Sequence, residues 1–358
     1  RNGVPSSRSR VSSVNEVLRI NQQEMAGHPP DISDKGPVYW QVKKRVMYSS
    51  KGLGPHSIYI NGRRASKVHS HAERGNEGNS DMLPGKRLGR SPYMPVDCAF
   101  EISIERVSIL DEHGVFDESL GEGLIPDADV VKLYQHMMLC RHFDEIAFKL
   151  QRSGRMGTYP ENRGQEATSL GAAYALEDKD WLVTCYRENA GLFWKGVDPE
   201  KVLLHWMGDE RGNDIPVRAT PLAIPIGTQM LHAAGLAWSS KYRGEDGIAC
   251  TFFGDGATSE GDFHEAMNFA ANLDLPVVFV CQNNSWAIST PTTINCSAPT
   301  VAQRGLAYGM HSVQVDGNDI FAMVKVIRDA AERARTESRP TFIEAVTFRL
   351  GDHTTPDD

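Results

Sequence analysis

The chain has 358 residues, enough for one large α/β domain or two smaller ones. At 40% hydrophobic and 23% charged, its composition is that of a globular protein, and no apolar run approaches the ~20 residues a membrane-spanning helix needs. The net charge of −8 hides an asymmetry: residues 1–93 carry 16 Lys+Arg against 7 Asp+Glu, so the remainder holds all of the acidic excess. The basic part lacks helix or strand periodicity, which argues against a nucleic-acid module. Six cysteines (Cys98, Cys140, Cys185, Cys250, Cys281, Cys296) stand apart with no CxxC pair, the usage of buried thiols in a reducing compartment.

Residues 1–93 are rich in Ser, Arg, Gly and Asn, with turn dipeptides such as Asn61-Gly62 and Pro84-Gly85. The expectation is a low-information extension, disordered or from a misassigned start, since a transit sequence should be poorer in acids. Residues 94–358 then form the functional domain, expected to be truncated at its C-terminus.

Regular patterning begins near residue 102. A strand is expected over 101–110, followed by a long helix over about 127–152 capped by Asp127 or Asp129. A helix over 164–176, a strand over 181–184 and a helix from about 188 come next. Asp198-Pro199 is a helix start with proline at the first position. Residues 208–223 read as a loop. The helix over 227–242 carries Ala233, Ala234, Gly235 and Ala237, small residues that permit close packing. Strand 248–253, helix 259–273, strands 277–282 and 312–315, helix 320–336 and strand 341–348 complete the series. Ser259 with Asp262 resembles a capping box. His264 is expected to pack rather than catalyse, and the charges of 328–335 to form a solvated helix face.

Alternating strands and helices predict an α/β fold with a doubly wound, mostly parallel sheet. Ligands in such sheets bind beyond the carboxyl ends of the strands. Gly254-Asp255-Gly256 and Asn283-Asn284 both fall at such ends, a helix and a strand apart. Asp255 and Asn284 offer hard oxygen ligands suited to Mg²⁺, which seldom builds an all-protein cage and shares its shell with phosphate. Backbone N–H groups of Gly256 and Ala257 at a fresh helix start would face an anion. An Asp-Gly turn with Asp255 as a simple cap is the plainer alternative for the first half alone.

The pair resembles the thiamine-diphosphate fingerprint, and further motifs widen the likeness. Gly164-Gln165-Glu166-Ala167, Tyr186-Arg187, residues 224–229, 254–262, 282–290, 315–319 and 349–358 together resemble the alpha subunit of the decarboxylating first component of 2-oxoacid dehydrogenase complexes. The likeness covers about residues 100–358 and is most like the bacterial pyruvate branch. It implies a thiamine-diphosphate-binding fold with Mg²⁺ held by Asp255, Asn284 and the main-chain oxygen of Trp286. It implies that Tyr186 and Arg187 contact the diphosphate, an anion matched by the guanidinium fork. The backbone at Ile224 and Ile226 would bind the aminopyrimidine, with the Ile226 side chain propping the cofactor's bent shape. His353 would sit near the diphosphate and assist acyl transfer. The neighbouring carboxylate of Asp352, where many relatives carry Pro or His, would favour a protonated His353. Thr354 stands where some eukaryotic relatives carry a regulatory phosphoserine, but no phosphorylation is expected here.

The implied activity is oxidative decarboxylation of pyruvate with acyl transfer to a lipoyl domain. Branched-chain 2-oxoacid or acetoin-cleaving enzymes are the alternatives, and a non-catalytic scaffold subunit is the alternative of another class. The activating glutamate would come from a beta subunit in an α₂β₂ heterotetramer. The expected location is the cytoplasm, or the mitochondrial matrix if residues 1–93 were a transit sequence.

Overall fold

The computed structural model describes residues 103–354. The expectations for residues 1–93, Cys98 and the end of the final motif lie outside them. In chain order the main elements are β1 (Glu105–Val107), α1 (Asp127–Arg152), α2 (Glu166–Ala175), β2 (Trp181–Val183), α3 (Asn189–Trp194), α4 (Pro199–Trp206) and α5 (Thr228–Arg243). They continue with β3 (Ala249–Gly254), α6 (Gly261–Asn272), β4 (Val277–Asn283), β5 (Trp286–Ala287), β6 (Thr290–Pro291), β7 (His311–Asp316), α7 (Ile320–Glu337) and β8 (Thr341–Val346).

Six strands form one sheet in the order β1-β7-β8-β4-β3-β2, every neighbouring pair parallel. The central strands β3, β4 and β8 are buried along nearly their whole length, as their continuous apolar runs require of strands covered on both faces. One core cluster joins the sheet to α1, α2 and α7 through Leu133, Phe143, Leu170 and Ile327. A second, with Met230, Ala237, Phe263 and Met267, joins the opposite face to α5 and α6. The chain is therefore doubly wound, as predicted.

Because all six strands run the same way, the segments after β2, β3, β4 and β8 emerge at one edge of the sheet. The register sets Gly254 beside Gln282 and Asn283 beside Val346, so the ends of β3, β4 and β8 are level.

Several local expectations are corrected. Asp127 and Asp129 do not cap α1: the cap position is Pro126, and Asp129 instead pairs with Lys132 and accepts from Tyr174. Asp198 does cap α4, accepting from the Glu200 N–H. The Ser259–Asp262 capping box does not form. Residues Asp255–Ser259 wind as a 3₁₀ turn, α6 starts at Gly261, and the Ser259 hydroxyl bonds Asn295. Ala233, Ala234 and Ala237 pack as expected, but Gly235 faces outward. The loop 208–223 contains a further 3₁₀ turn, Glu210–Asn213.

The charges of 328–335 are not all solvated. Arg335 pairs with the buried Asp180, and Arg328 donates to the Leu124 carbonyl while stacking over Tyr174. Asp180 accepts from the Ile248 N–H as well, so this ion pair pins the start of β3. His264 is exposed, its ring edge-on to Phe263 and its Nδ1 2.6 Å from the Tyr308 hydroxyl. The cysteines among the described residues are buried and free.

Candidate active site

The segment after β2 supplies Tyr186 and Arg187. Arg187 is buried, its guanidinium stacked on the Tyr186 ring and bonded to the Glu161 carbonyl. It also donates to the His353 carbonyl at 2.7 Å. The segment after β8 is tied down by Thr347 Oγ1 donating to the Gly164 carbonyl and by the Leu350 N–H donating to that of Arg163. It brings His353 to the same place.

Nδ1 of His353 lies 3.3 Å from Arg187 Nη2 and 3.4 Å from Arg349 Nη1. A guanidinium only donates, so in these two contacts the ring nitrogen is the acceptor.

The segment after β3 is the Gly254-Asp255-Gly256 turn. A Cβ on Gly256 would sit 2.6 Å from that of Ala287 in β5, so only glycine lets the turn approach the β5–β6 hairpin this closely. Asp255 is 1% exposed. Its Oδ2 accepts from the Thr292 hydroxyl, while Oδ1 is buried with no hydrogen-bond partner. Burial raises its pKa, with the Thr292 bond pulling the other way. An anionic oxygen sealed from water and left unpaired is costly, and a cation is the group that would satisfy it.

The segment after β4 delivers Asn283 and Asn284. Asn284 is buried, its Oδ1 accepting from the Trp286 N–H at 3.1 Å and its Nδ2 donating to Gln165 Oε1 at 3.4 Å. An amide oxygen has two lone pairs, so one is left for a metal. Among the described residues no three His, Cys, Asp or Glu side chains converge as a metal cage. Asp255 and Asn284 could offer a sparse set of oxygen donors of the kind Mg²⁺ completes with phosphate and water.

These segments enclose a cavity of ≈ 220 Å³ at the carboxyl edge of the sheet, with Tyr186, Arg187, Ile226, Gly256, Ala257, Asn284, Trp286 and His353 in its wall. Asp255 lies just behind that wall. Ile224 does not line it: this side chain is half-exposed on the approach to α5.

Sequence reasoning assigned no role to Gln165, Glu188, Gln282 or Thr292. Glu188 is buried in the cavity wall, accepting from Gln282 Nε2 and from the Arg187 N–H. Burial pushes its pKa up to about 7, against those bonds and the Arg187 charge. Its position directly after Tyr186-Arg187 was the only available signal. Thr292 stands 37 residues from Asp255, and nothing in the sequence joins the two.

A profile of the dehydrogenase E1 component family matches residues 134–358, which takes in every segment of this cavity. The chain belongs to that family. Its E1 relatives include the 3-methyl-2-oxobutanoate dehydrogenase subunit alpha of Mycobacterium tuberculosis (strain H37Rv), 41% identical over 274 residues, or 76% of this chain and 75% of that one. The pyruvate dehydrogenase E1 component subunit alpha of Acholeplasma laidlawii is 44% identical over 250 residues, covering 69% and 72% of the two chains. That of Staphylococcus aureus (strain N315) is 40% identical over 259 residues, covering 71% and 69%. This E1 chain is accordingly the alpha subunit of a 2-oxoacid dehydrogenase.

Proposed function

We propose that this alpha subunit binds thiamine diphosphate through Mg²⁺ and acts in the oxidative decarboxylation of pyruvate, with acyl transfer to a lipoyl domain. The observation that carries the metal reading is the buried, partnerless Oδ1 of Asp255. Asp255, Asn284 and the Trp286 carbonyl would hold the ion, and Arg187 with Tyr186 the diphosphate. The N–H groups of Gly256 and Ala257, in the cavity wall, would donate to the same anion. Ile226, in the cavity wall, would support the cofactor, and the backbone at Ile224 and Ile226 would bind its aminopyrimidine. The cofactor supplies the nucleophile and electron sink for loss of CO₂. The chain's part is to orient it, keep water out and place His353, with Nδ1 facing Arg187 and Arg349, beside the diphosphate for acyl transfer.

The site is half of a shared one. Complete small-molecule sites enclose roughly 300–1,000 Å³, whereas this cavity holds ≈ 220 Å³. Beside it, α5 presents Leu231, Trp238 and Tyr242 outward, with Phe269 of α6 and Leu273 just past its end alongside and the Trp238 and Phe269 rings 5.6 Å apart. An apolar face of this kind marks a protein interface. Ile226, in the cavity wall, stands two residues before α5, so a partner covering this face also closes the cavity. We assign it to the beta subunit of an α₂β₂ heterotetramer, which supplies the activating glutamate. The bacterial relatives support a cytoplasmic location.

The test is decarboxylation by the co-expressed α/β pair, comparing kcat/KM for pyruvate and 3-methyl-2-oxobutanoate. The M. tuberculosis relative supports the branched-chain acid as the second reading. A clear preference for it rejects pyruvate. Turnover by a preparation free of beta subunit would overturn the shared site.

A further inference from the structure

Gln165 occupies the cap position of α2 without capping it: its side chain makes no bond to the helix's first N–H groups. The neighbouring Glu166 turns its carboxylate back to accept from the Gly164 N–H and pairs with Arg141. The Gln165 side chain is thus freed from the local duty that its position would suggest. It is 1% exposed and stands in the cavity wall.

Its amide has two distinct ends. Oε1 accepts from Asn284 Nδ2 at 3.4 Å. Because an amide presents donors at one end and an acceptor at the other, holding Nδ2 fixes which way the Asn284 oxygen points. Nε2, by contrast, is buried and has no hydrogen-bond partner. A sealed donor without an acceptor costs its full desolvation, about the strength of the bond it lacks. An oxygen of a bound ligand is what would satisfy it.

Resting on the thiamine-diphosphate reading above, we propose that Gln165 is a ligand-binding residue of the site: its Oε1 orients Asn284 for the metal, and its Nε2 donates to an oxygen of the diphosphate. The surrounding fold is built to hold it there. Its N–H donates to the Asn162 carbonyl at 3.0 Å, and Asn162 in turn takes the Asp144 carboxylate on its own N–H. Gly164, with φ of +94°, packs directly against the Phe348 carbonyl, joining the Gln165 turn to the segment that carries His353. One short stretch therefore links the metal side of the cavity to the histidine side.

The experiment measures thiamine diphosphate binding to the α/β pair by calorimetry over a Mg²⁺ series, for the wild type, Gln165→Met and Gln165→Glu. Binding by the wild type tests the cofactor reading itself, so a failure there is separable from a failure of the variants. Gln165→Met has nearly the same length and no polar end. It should weaken cofactor binding about ten- to hundredfold and raise the Mg²⁺ concentration at half-saturation, with the melting temperature reported alongside. Gln165→Glu keeps an oxygen against Asn284 but turns the donor end into a second acceptor. It should weaken the cofactor while leaving the Mg²⁺ midpoint near the wild type's.

A cycle with Asn284→Ala separates orientation from packing. If Gln165 acts on the metal through Asn284, its effect on the Mg²⁺ midpoint disappears once Asn284 is gone. Cofactor affinity within twofold of the wild type in both Gln165 variants would overturn the proposal, as would fully additive effects with Asn284→Ala on the Mg²⁺ midpoint.

Discussion

Thr292 donates its hydroxyl to Oδ2 of Asp255, which leaves Oδ1 of the same carboxylate buried and unpaired. The carboxylate is thereby held in one orientation before any ion arrives. Partners of this kind typically contribute about ten- to hundredfold in metal affinity. Thr292→Val should therefore raise the Mg²⁺ requirement for cofactor binding by about that factor, and Thr292→Ser should restore it. Asp255→Ala should remove Mg²⁺-dependent binding altogether. Calorimetry of the α/β pair checks all three, and an unchanged Mg²⁺ midpoint in Thr292→Val would take Thr292 out of this role.

Glu188 gives the cofactor-free enzyme a pH signature. Burial pushes its carboxyl up to about 7 in the folded chain, from an ordinary glutamate value of 4.5. Below pH 4.5 both folded and unfolded states are protonated there, and the group's stabilising contribution is fully present. As pH rises from 4.5 towards 7 the unfolded state ionises first, so that contribution is lost, by about 1.4 kcal/mol per unit and on the order of 3 kcal/mol in all. Glu188→Gln should flatten this part of the stability–pH curve and be the more stable form at pH 8. Denaturant unfolding of the cofactor-free pair across pH 5–8 measures it, and parallel curves for the two proteins would contradict the assignment.

Gly164 sits at φ +94°, and a Cβ there would strike the Phe348 carbonyl. Gly164→Ala combines left-handed backbone strain with a clash against main chain, a cost of about 1–3 kcal/mol. Thr347 and Leu350 anchor to the same turn, so the variant should also loosen the approach to His353. A lowered Tm and faster hydrogen exchange over residues 347–353 are expected. Wild-type exchange in that stretch would show that it holds independently of Gly164.

Trp238 is half-exposed at the centre of the α5 face. Trp238→Asp places a charge where the beta subunit is proposed to bury apolar surface, and should abolish co-purification of the pair while leaving the fold of the alpha chain intact. Size-exclusion chromatography with circular dichroism separates those two effects. An undisturbed heterotetramer would move the interface elsewhere.

The doubly wound sheet could be read from the chain because fully covered strands must be continuously apolar, and β3, β4 and β8 are. The placement of Asp255 and Asn284 at strand ends could be read for the same reason. The Ser259–Asp262 capping box could not, because a 3₁₀ turn and the Asn295 side chain compete for the same groups, and that competition is tertiary. Arg335 looked like part of a solvated face until the fold set it against Asp180, 155 residues away.

By itself, then, the sequence determined the sheet and the edge at which Asp255 and Asn284 stand. These follow from burial patterns and local chemistry, which are short-range. Only the tertiary structure decided which oxygen of Asp255 is free, which end of the Gln165 amide faces Asn284, and that His353 meets Arg187 and Arg349. Orientation depends on partners distant in the chain, and these meet only when parallel strands bring their ends level.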